Sequence, residues 1–204
     1  MVQVKMCGLR RAEDIEAVNA LRPDCIGFVF FPGSRRYIPP ETARGLKAKL
    51  DPGITAVGVF VDEDPETVAG LLEEGVIDAA QLHGHEDEAY LRRLRELAGR
   101  PLIQAFRVRS AGDVLRAQAS SAEMILLDAG AGDGKTFDWN LLRAAGRPYF
   151  LAGGLDPGNV ARAVEQLHPY GVDVSSGIET DGYKDIVKMR AFMRAAGREA
   201  GEHE

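Results

Sequence analysis

The chain has 204 residues, 45% of them hydrophobic, and a formal net charge of -6, enough apolar material for one sizeable core without demanding a second domain. The acidic balance argues against nucleic acid or an anionic membrane as the main partner, because both select for surplus Lys and Arg. No run is apolar enough to span a bilayer and no apolar leader segment opens the chain, so the expectation is a cytoplasmic protein acting on a small molecule.

Along the chain, short Val/Ile-rich runs alternate with amphipathic helical stretches. VQVKMC leads into RRAEDIEAVNAL, CIGFVF into PPETARGLKAKL, ITAVGVFV into DPETVAGLLEEG, and IDAAQLH into DEAYLRRLRELAG. LIQAFRV and MILLD come next, then YFLAG with DPGNVARAVEQLH, and GVDVSS with KDIVKMRAFMRAAG. Several helical stretches open with Pro or an Asp or Ser cap, and several end at Gly. Eight strands separated by helical segments predict an α/β fold, a single-domain (β/α)8 TIM barrel over residues 1–197. An open doubly wound sheet has the same element order and is the alternative. The polar GREAGEHE leaves 198–204 as a frayed tail.

Cys7 and Cys25 are the chain's two cysteines, so a disulfide framework and a two-plus-two cysteine zinc site are both excluded. At opposite ends of neighbouring parallel strands they lie roughly 10–20 Å apart at about 3.3 Å per residue, too far for a bridge. Both are expected to be free thiols.

Active sites of such barrels are built at the C-terminal strand ends. Cys7, Arg36, His83, Asp128, the glycines of AGGL and the serines of VSSGIE fall there, with Asp173 a little deeper in the last strand. Alternation sets Gln3, Lys5 and Cys7 on the face opposite Val2, Val4 and Met6, which points Cys7 into the mouth. The plainer reading of a lone cysteine is a small buried hydrophobe. On the sixth strand Met124, Leu126 and Asp128 share one face. A thiol and a carboxyl group on one cavity make an acid–base pair if their surroundings separate the two pKa values, although Asp is also a common turn residue.

AGGLDPGNV and VSSGIET, at the seventh and eighth strand ends, fit the phosphate site usual for this architecture and point to a small phosphorylated substrate. Arg36, in FFPGSRRYIPP, suits a two-pronged hydrogen bond to a carboxylate, though paired arginines in such loops are often simply solvated. His83 is read as lining the mouth and His85 as facing water. GAGDGKT imitates an NTPase phosphate loop, but Ala129 stands where that motif needs Gly.

Taken in order, VKMCGLRRAEDI, GFVFFPGSRRYI, VGVFVD, QLHGHE, DAGAGDGKTFDW, LAGGLDPGNV and GVDVSSGIE resemble the phosphoribosylanthranilate isomerase family over nearly the whole chain. DAGAGDGKTFDW departs from the Gly-Gly-Thr-Gly wording common in that family but keeps its Asp, Gly-Lys-Thr and Phe-Asp-Trp. The resemblance implies an Amadori rearrangement of N-(5-phosphoribosyl)anthranilate to 1-(2-carboxyphenylamino)-1-deoxyribulose 5-phosphate, a step of tryptophan biosynthesis. It implies Cys7 as general base and Asp128 as general acid. It also implies Arg36 on the anthranilate carboxylate, phosphate held around Gly154, Ser176 and Gly177, and His83 and Asp173 lining the pocket. The substrate's own nitrogen is the electron sink, so no metal and no cofactor are required; monomer and homodimer both remain open.

Those roles ask a thiol of ordinary pKa near ~8.5 and an aspartate near ~3.9 to exchange protonation forms at neutral pH. Arg10, Arg11 or the start of the first helix are expected to favour thiolate, and partial burial to favour the acid. Two rivals stand beside this reading. Lys5 on the inner face suits a Schiff-base aldolase, although a lumen ion pair with a carboxylate such as Asp173 is preferred. A non-catalytic phosphate-binding barrel is the other, and it needs neither Cys7 nor Asp128. The related isomerase of histidine biosynthesis calls for two similar halves, and the sequence has no such repeat.

Overall fold

In the computed structural model, which describes residues 1–130 and 139–198, eight parallel strands close into a barrel in chain order. They are β1 (Gln3–Cys7), β2 (Cys25–Val29), β3 (Thr55–Phe60), β4 (Ala79–Leu82), β5 (Leu102–Arg107), β6 (Met124–Asp128), β7 (Tyr149–Ala152) and β8 (Gly171–Val174). β1 pairs with both β2 and β8, which excludes the open sheet. The helices are α1 (Ala12–Leu21), α2 (Pro40–Lys47), α3 (Pro65–Glu73), α4 (Glu88–Leu97), α5 (Ala111–Ala119), α6 (Val160–Leu167) and α7 (Ile186–Ala195).

The helix starts follow from local chemistry. Asp64, Asp87 and Asp185 each accept two first-turn N–H groups, at the heads of α3, α4 and α7, satisfying donors that have no partner within the helix. Pro40 and Pro65 occupy first-turn positions where a missing N–H costs nothing. After β6, where a helix is expected, the described residues form a 3-10 segment, Trp139–Ala144. Just beyond it Arg147 donates to the carbonyls of Ser120 and Ala122 at 2.7 and 2.6 Å, tying the chain to the segment that leads into β6.

Alternation divides the apolar residues into two cores. Val4, Met6, Ile125 and Leu127 face the helices, whereas Val57, Ile103, Ala105, Leu126 and Phe150 fill the barrel interior. The interior is therefore packed, as such barrels require. Lys5 points inward and has no solvent exposure.

Two features depart from the sequence reading. A hairpin of β9 (Glu179–Thr180) and β10 (Tyr183–Lys184) follows the eighth strand. Asp181 and Gly182 turn it with positive φ, the conformation that matches hairpin twist. The cysteines are also nearer than expected. Cys25 pairs with Lys5, which sets Cys7 and Cys25 about 8 Å apart at Cα from strand spacing and rise. Both are free, as expected, because that span still exceeds what a disulfide bridges. Arg198, read as the first residue of the tail, donates to Asp24 at 3.1 Å; the remainder of that tail, 199–204, lies outside the described residues.

Leu126 has no solvent exposure and packs in the interior layer directly below Asp128. Leu126→Ala is expected to cost about 2–5 kcal/mol, measured as a lower urea midpoint with an unchanged slope.

Candidate active site

The C-terminal rim encloses a cavity of about 440 Å³ lined by side chains from all eight strand ends, among them Cys7, Arg36, Gln81, His83, Arg107, Asp128, Gly154, Asp173 and Ser176. Of the residues that the resemblance places in the site, Gly177 alone is absent from the lining. It packs against the Leu155 carbonyl, so the loops after β7 and β8 touch there. His85 is exposed and pairs with Asp62 at 2.9 Å, outside the mouth as expected. Residues 131–136 of the NTPase-like stretch, and with them most of the loop that departs from the family wording, lie outside the described residues.

Cys7 ends β1, and the glycines beside it make room for it. Gly27 is its partner on β2, and a Cβ there would stand 2.6 Å from the Cys7 Sγ. Gly8 has φ +84, and a Cβ on it would overlap the stem of Arg36; a side chain would be strained at that φ and would displace the arginine. The pair Cys-Gly at a strand end thus seats a thiol and lets the guanidinium fold back over it.

Burial pushes the Cys7 thiol up from its ordinary pKa and Asp173 adds to this, while Lys5 and Lys184 pull it down without overcoming burial. The expected positive influence of Arg10 and Arg11 is not what the thiol meets. Arg10 donates to the carbonyls of Arg35 and Gly182, and Arg11 is engaged with Asp14 and the Lys184 carbonyl. Both guanidinium groups also stack on Tyr183.

Asp128, at the end of β6, accepts from the Gly130 N–H at 2.8 Å and lies 3.5 Å from His83 Nε2. Burial pushes its carboxyl up, as expected, but His83, the Gly130 N–H and Arg107 together outweigh it and hold the group below its ordinary pKa. In the free site the sulfur therefore keeps its proton and the carboxyl loses its own.

Arg36 is not a solvated loop residue. Its Nε and Nη2 grip the two oxygens of Glu179 at 2.6 and 2.7 Å, the bidentate geometry of a strong pair. Lys184 Nζ donates to the same carboxylate at 2.8 Å and to the Ser175 carbonyl at 2.9 Å, and Ser175 Oγ donates to the Cys7 carbonyl at 2.9 Å. Burial opposes ionisation of Glu179, yet Arg36 and Lys184 prevail and take it from 4.5 to about 2. Glu179 and Lys184 were not singled out in the sequence, whereas Ser175 is one of the two serines placed at the last strand end. The available signal was one of spacing: Glu179 follows the serine turn by a few residues, and Lys184 is five further on.

Lys5 pairs with Asp173 at 2.8 Å, the lumen ion pair preferred above. Burial opposes its charge, but Asp173 raises its pKa well above the ordinary value. A Schiff-base lysine must present a neutral amine, so the aldolase reading fails.

A closed (β/α)8 barrel whose rim gathers a thiol, a carboxylate and a guanidinium around one cavity defines a class, the barrel enzymes whose site is built at the strand ends. The comparisons narrow it. Residues 4–195 match the family model described as N-(5'phosphoribosyl)anthranilate (PRA) isomerase. The N-(5'-phosphoribosyl)anthranilate isomerase of Endomicrobium trichonymphae is 44% identical over 194 residues, spanning 93% of this chain and 95% of that protein. The crystal structure of phosphoribosyl anthranilate isomerase from Thermotoga maritima superposes with a TM-score of 0.89 at 39% identity, covering 97% of this chain and 99% of that one. A structure of a phosphoribosyl anthranilate isomerase in complex with reduced 1-(o-carboxyphenylamino)-1-deoxyribulose 5-phosphate gives a TM-score of 0.86 at 39% identity, with the same coverage. The chain belongs to the N-(5'-phosphoribosyl)anthranilate isomerase family.

Two outcomes follow from this geometry. Gly27→Ala should displace the Cys7 sulfur and slow its alkylation by iodoacetamide several-fold, read by mass spectrometry on the folded protein. Because the Glu179 pKa is lowered on folding, the carboxylate contributes stability above pH ~5 that is lost as the pH falls towards ~2. The stability gap between wild type and Glu179→Gln should therefore be widest at neutral pH and shrink on acidification; a gap that ignores pH would contradict the pairing.

Proposed function

We propose that the chain catalyses the Amadori rearrangement of N-(5-phosphoribosyl)anthranilate, as a cytoplasmic enzyme of tryptophan biosynthesis. Membership of the isomerase family supports the reaction. For the residues that perform it, the observation that carries the reading is the shared cavity. A thiol from β1 and a carboxyl from β6 line the same hollow as Arg36 and the loop glycines.

Asp128 protonates the furanose ring oxygen, and the ring opens to an iminium conjugated with the anthranilate nitrogen. Cys7 removes the C2′ proton, the electrons flow to the iminium nitrogen, and an enolamine forms. Its C2′ hydroxyl then gives up a proton as C1′ gains one, yielding the ketone. No group is lost and no external electron is needed, so the residues supply proton transfer and positioning alone. Arg36, with one edge held by Glu179, turns its free edge to the anthranilate carboxylate. The loops at Gly154, Ser176 and Gly177 hold the phosphate, while His83 and Asp173 complete the wall.

The working forms, thiolate and carboxylic acid, differ from the free ones by one proton moved from sulfur to carboxylate. Total charge is unchanged, so a minor tautomer with the working arrangement exists at every pH between the two titrations. An incoming phosphate and carboxylate enlarge it on the Asp128 side, since nearby negative charge favours the protonated acid. The kcat/KM profile should accordingly be a bell whose acid limb belongs to Asp128 and whose alkaline limb belongs to Cys7.

The test is a fluorescence assay following loss of the anthranilate conjugate with purified protein. Cys7→Ala and Asp128→Asn should each lose about 10²–10⁴-fold in kcat, and Arg36→Ala should lose mainly in KM. Near-wild-type turnover in either of the first two removes that residue from the scheme. Folded protein with no activity favours the binding-only barrel.

A further inference from the structure

We infer that Lys5, clamped by Asp173, is a positioning residue for Cys7, its buried ammonium serving as the counter-charge that stabilises the thiolate. This rests on the reading of Cys7 as the base. The geometry is specific. Lys5 and Cys7 project from the same inner face of β1, and the ammonium has no access to water. It is held at 2.8 Å by a carboxylate from the neighbouring strand β8, so the cation cannot swing away or be neutralised by solvent. The groups facing the thiol are Lys5 from β1, Asp173 from β8, Lys184 from β10 and Arg36 from the loop after β2. Gly27, opposite on β2, brings no charge, and His83 and Asp128 stand across the cavity. Of the influences on the thiol, the pull of Lys5 is second only to burial and exceeds the push of Asp173, with Lys184 weaker than both. Such a buried pair is costly as a stabilising device, since burying charges costs more than their attraction readily returns. A role in the chemistry above it accounts for a lysine at this depth.

The ordering has a consequence with signs. Removing the cation alone should push the Cys7 titration up. Removing Asp173 alone leaves the cation less engaged elsewhere and should bring it down. Removing both should leave it above wild type but below Lys5→Gln. The experiment is iodoacetamide labelling of the native full chain against pH in wild type, Lys5→Gln, Asp173→Asn and the double variant, with folding checked by circular dichroism. Cys7 and Cys25 fall in separate tryptic peptides, because Arg10 and Arg11 lie between them. The expected result is an upward move of the Cys7 half-point by about one pH unit or more in Lys5→Gln, a downward move in Asp173→Asn, and an intermediate value in the double.

In the rate assay, Lys5→Gln should shift the alkaline limb of kcat/KM up and lower its plateau about tenfold per unit. A merely structural lysine would lower the plateau without moving the limb. Should Lys5→Gln fail to fold, the charge-neutral double carries the test. A Cys7 profile in a folded variant lacking Lys5 that coincides with wild type overturns the inference. Full turnover in Cys7→Ala would instead remove the base assignment, while the labelling order still decides what Lys5 does to the thiol.

Discussion

A cation with no exposure to water stands on the axis of this barrel, and the mouth is organised around its neutralisation. Lys5 and Asp173 lie opposite each other on β1 and β8, the two strands whose pairing closes the sheet. Their 2.8 Å contact fastens the seam of the barrel just beneath the cavity. An ammonium left there without its partner would cost several kcal/mol, on the order of 3–5 for breaking a buried pair. The register of the seam is therefore fixed by charge as well as by hydrogen bonds. One step up each strand the same register delivers Cys7 from β1 and Ser175 from just past β8, and these two are themselves joined by the bond from Ser175 Oγ to the Cys7 carbonyl.

Above that floor the charges are unequal. The groups around the mouth comprise four cationic side chains, Lys5, Arg36, Arg107 and Lys184, against the three carboxylates of Asp128, Asp173 and Glu179. In a chain with a formal net charge of -6 this is a local positive surplus around the cavity. Glu179 is what keeps the surplus ordered. By holding one edge of Arg36 and the end of Lys184 it offsets the repulsion between a half-buried and a buried cation, and the edge of the guanidinium left over is presented in a fixed direction. Two hydrogen bonds to a rigid carboxylate position Arg36 better than a longer network of waters would, because the side-chain entropy is lost on folding rather than on binding.

Much of this was legible from the chain, and the reason is geometric. In a closed parallel barrel the side-chain period is two, so once the apolar residues of a strand are assigned to the helix side the phase of every other residue follows. Val4 and Met6 set the phase of Cys7, and Asp128 was placed on the face it shares with Met124 and Leu126. What phase does not reveal is which distant segment covers a strand end. Glu179 and Lys184 sit in strands of two residues each, too short for any period, and they reach partners such as Arg36 that are far away in sequence.

The protonation states were the least legible part, for a related reason. A carboxyl at a strand end is raised by burial and lowered by every donor that points at it, so its direction is the difference of two large effects whose donors come from separate loops. For Asp128 the opposing groups are His83 from the end of β4, the Gly130 N–H two residues on, and the positive charge of Arg107 on β5. Depth alone suggested an acid; the donors make a carboxylate. The thiol is the converse case: its cations are present, but they are partly spent on Asp173 and Glu179, and burial prevails. In the empty site the thiol and the carboxyl therefore hold the reverse of the forms that the proposed acid–base roles ask for.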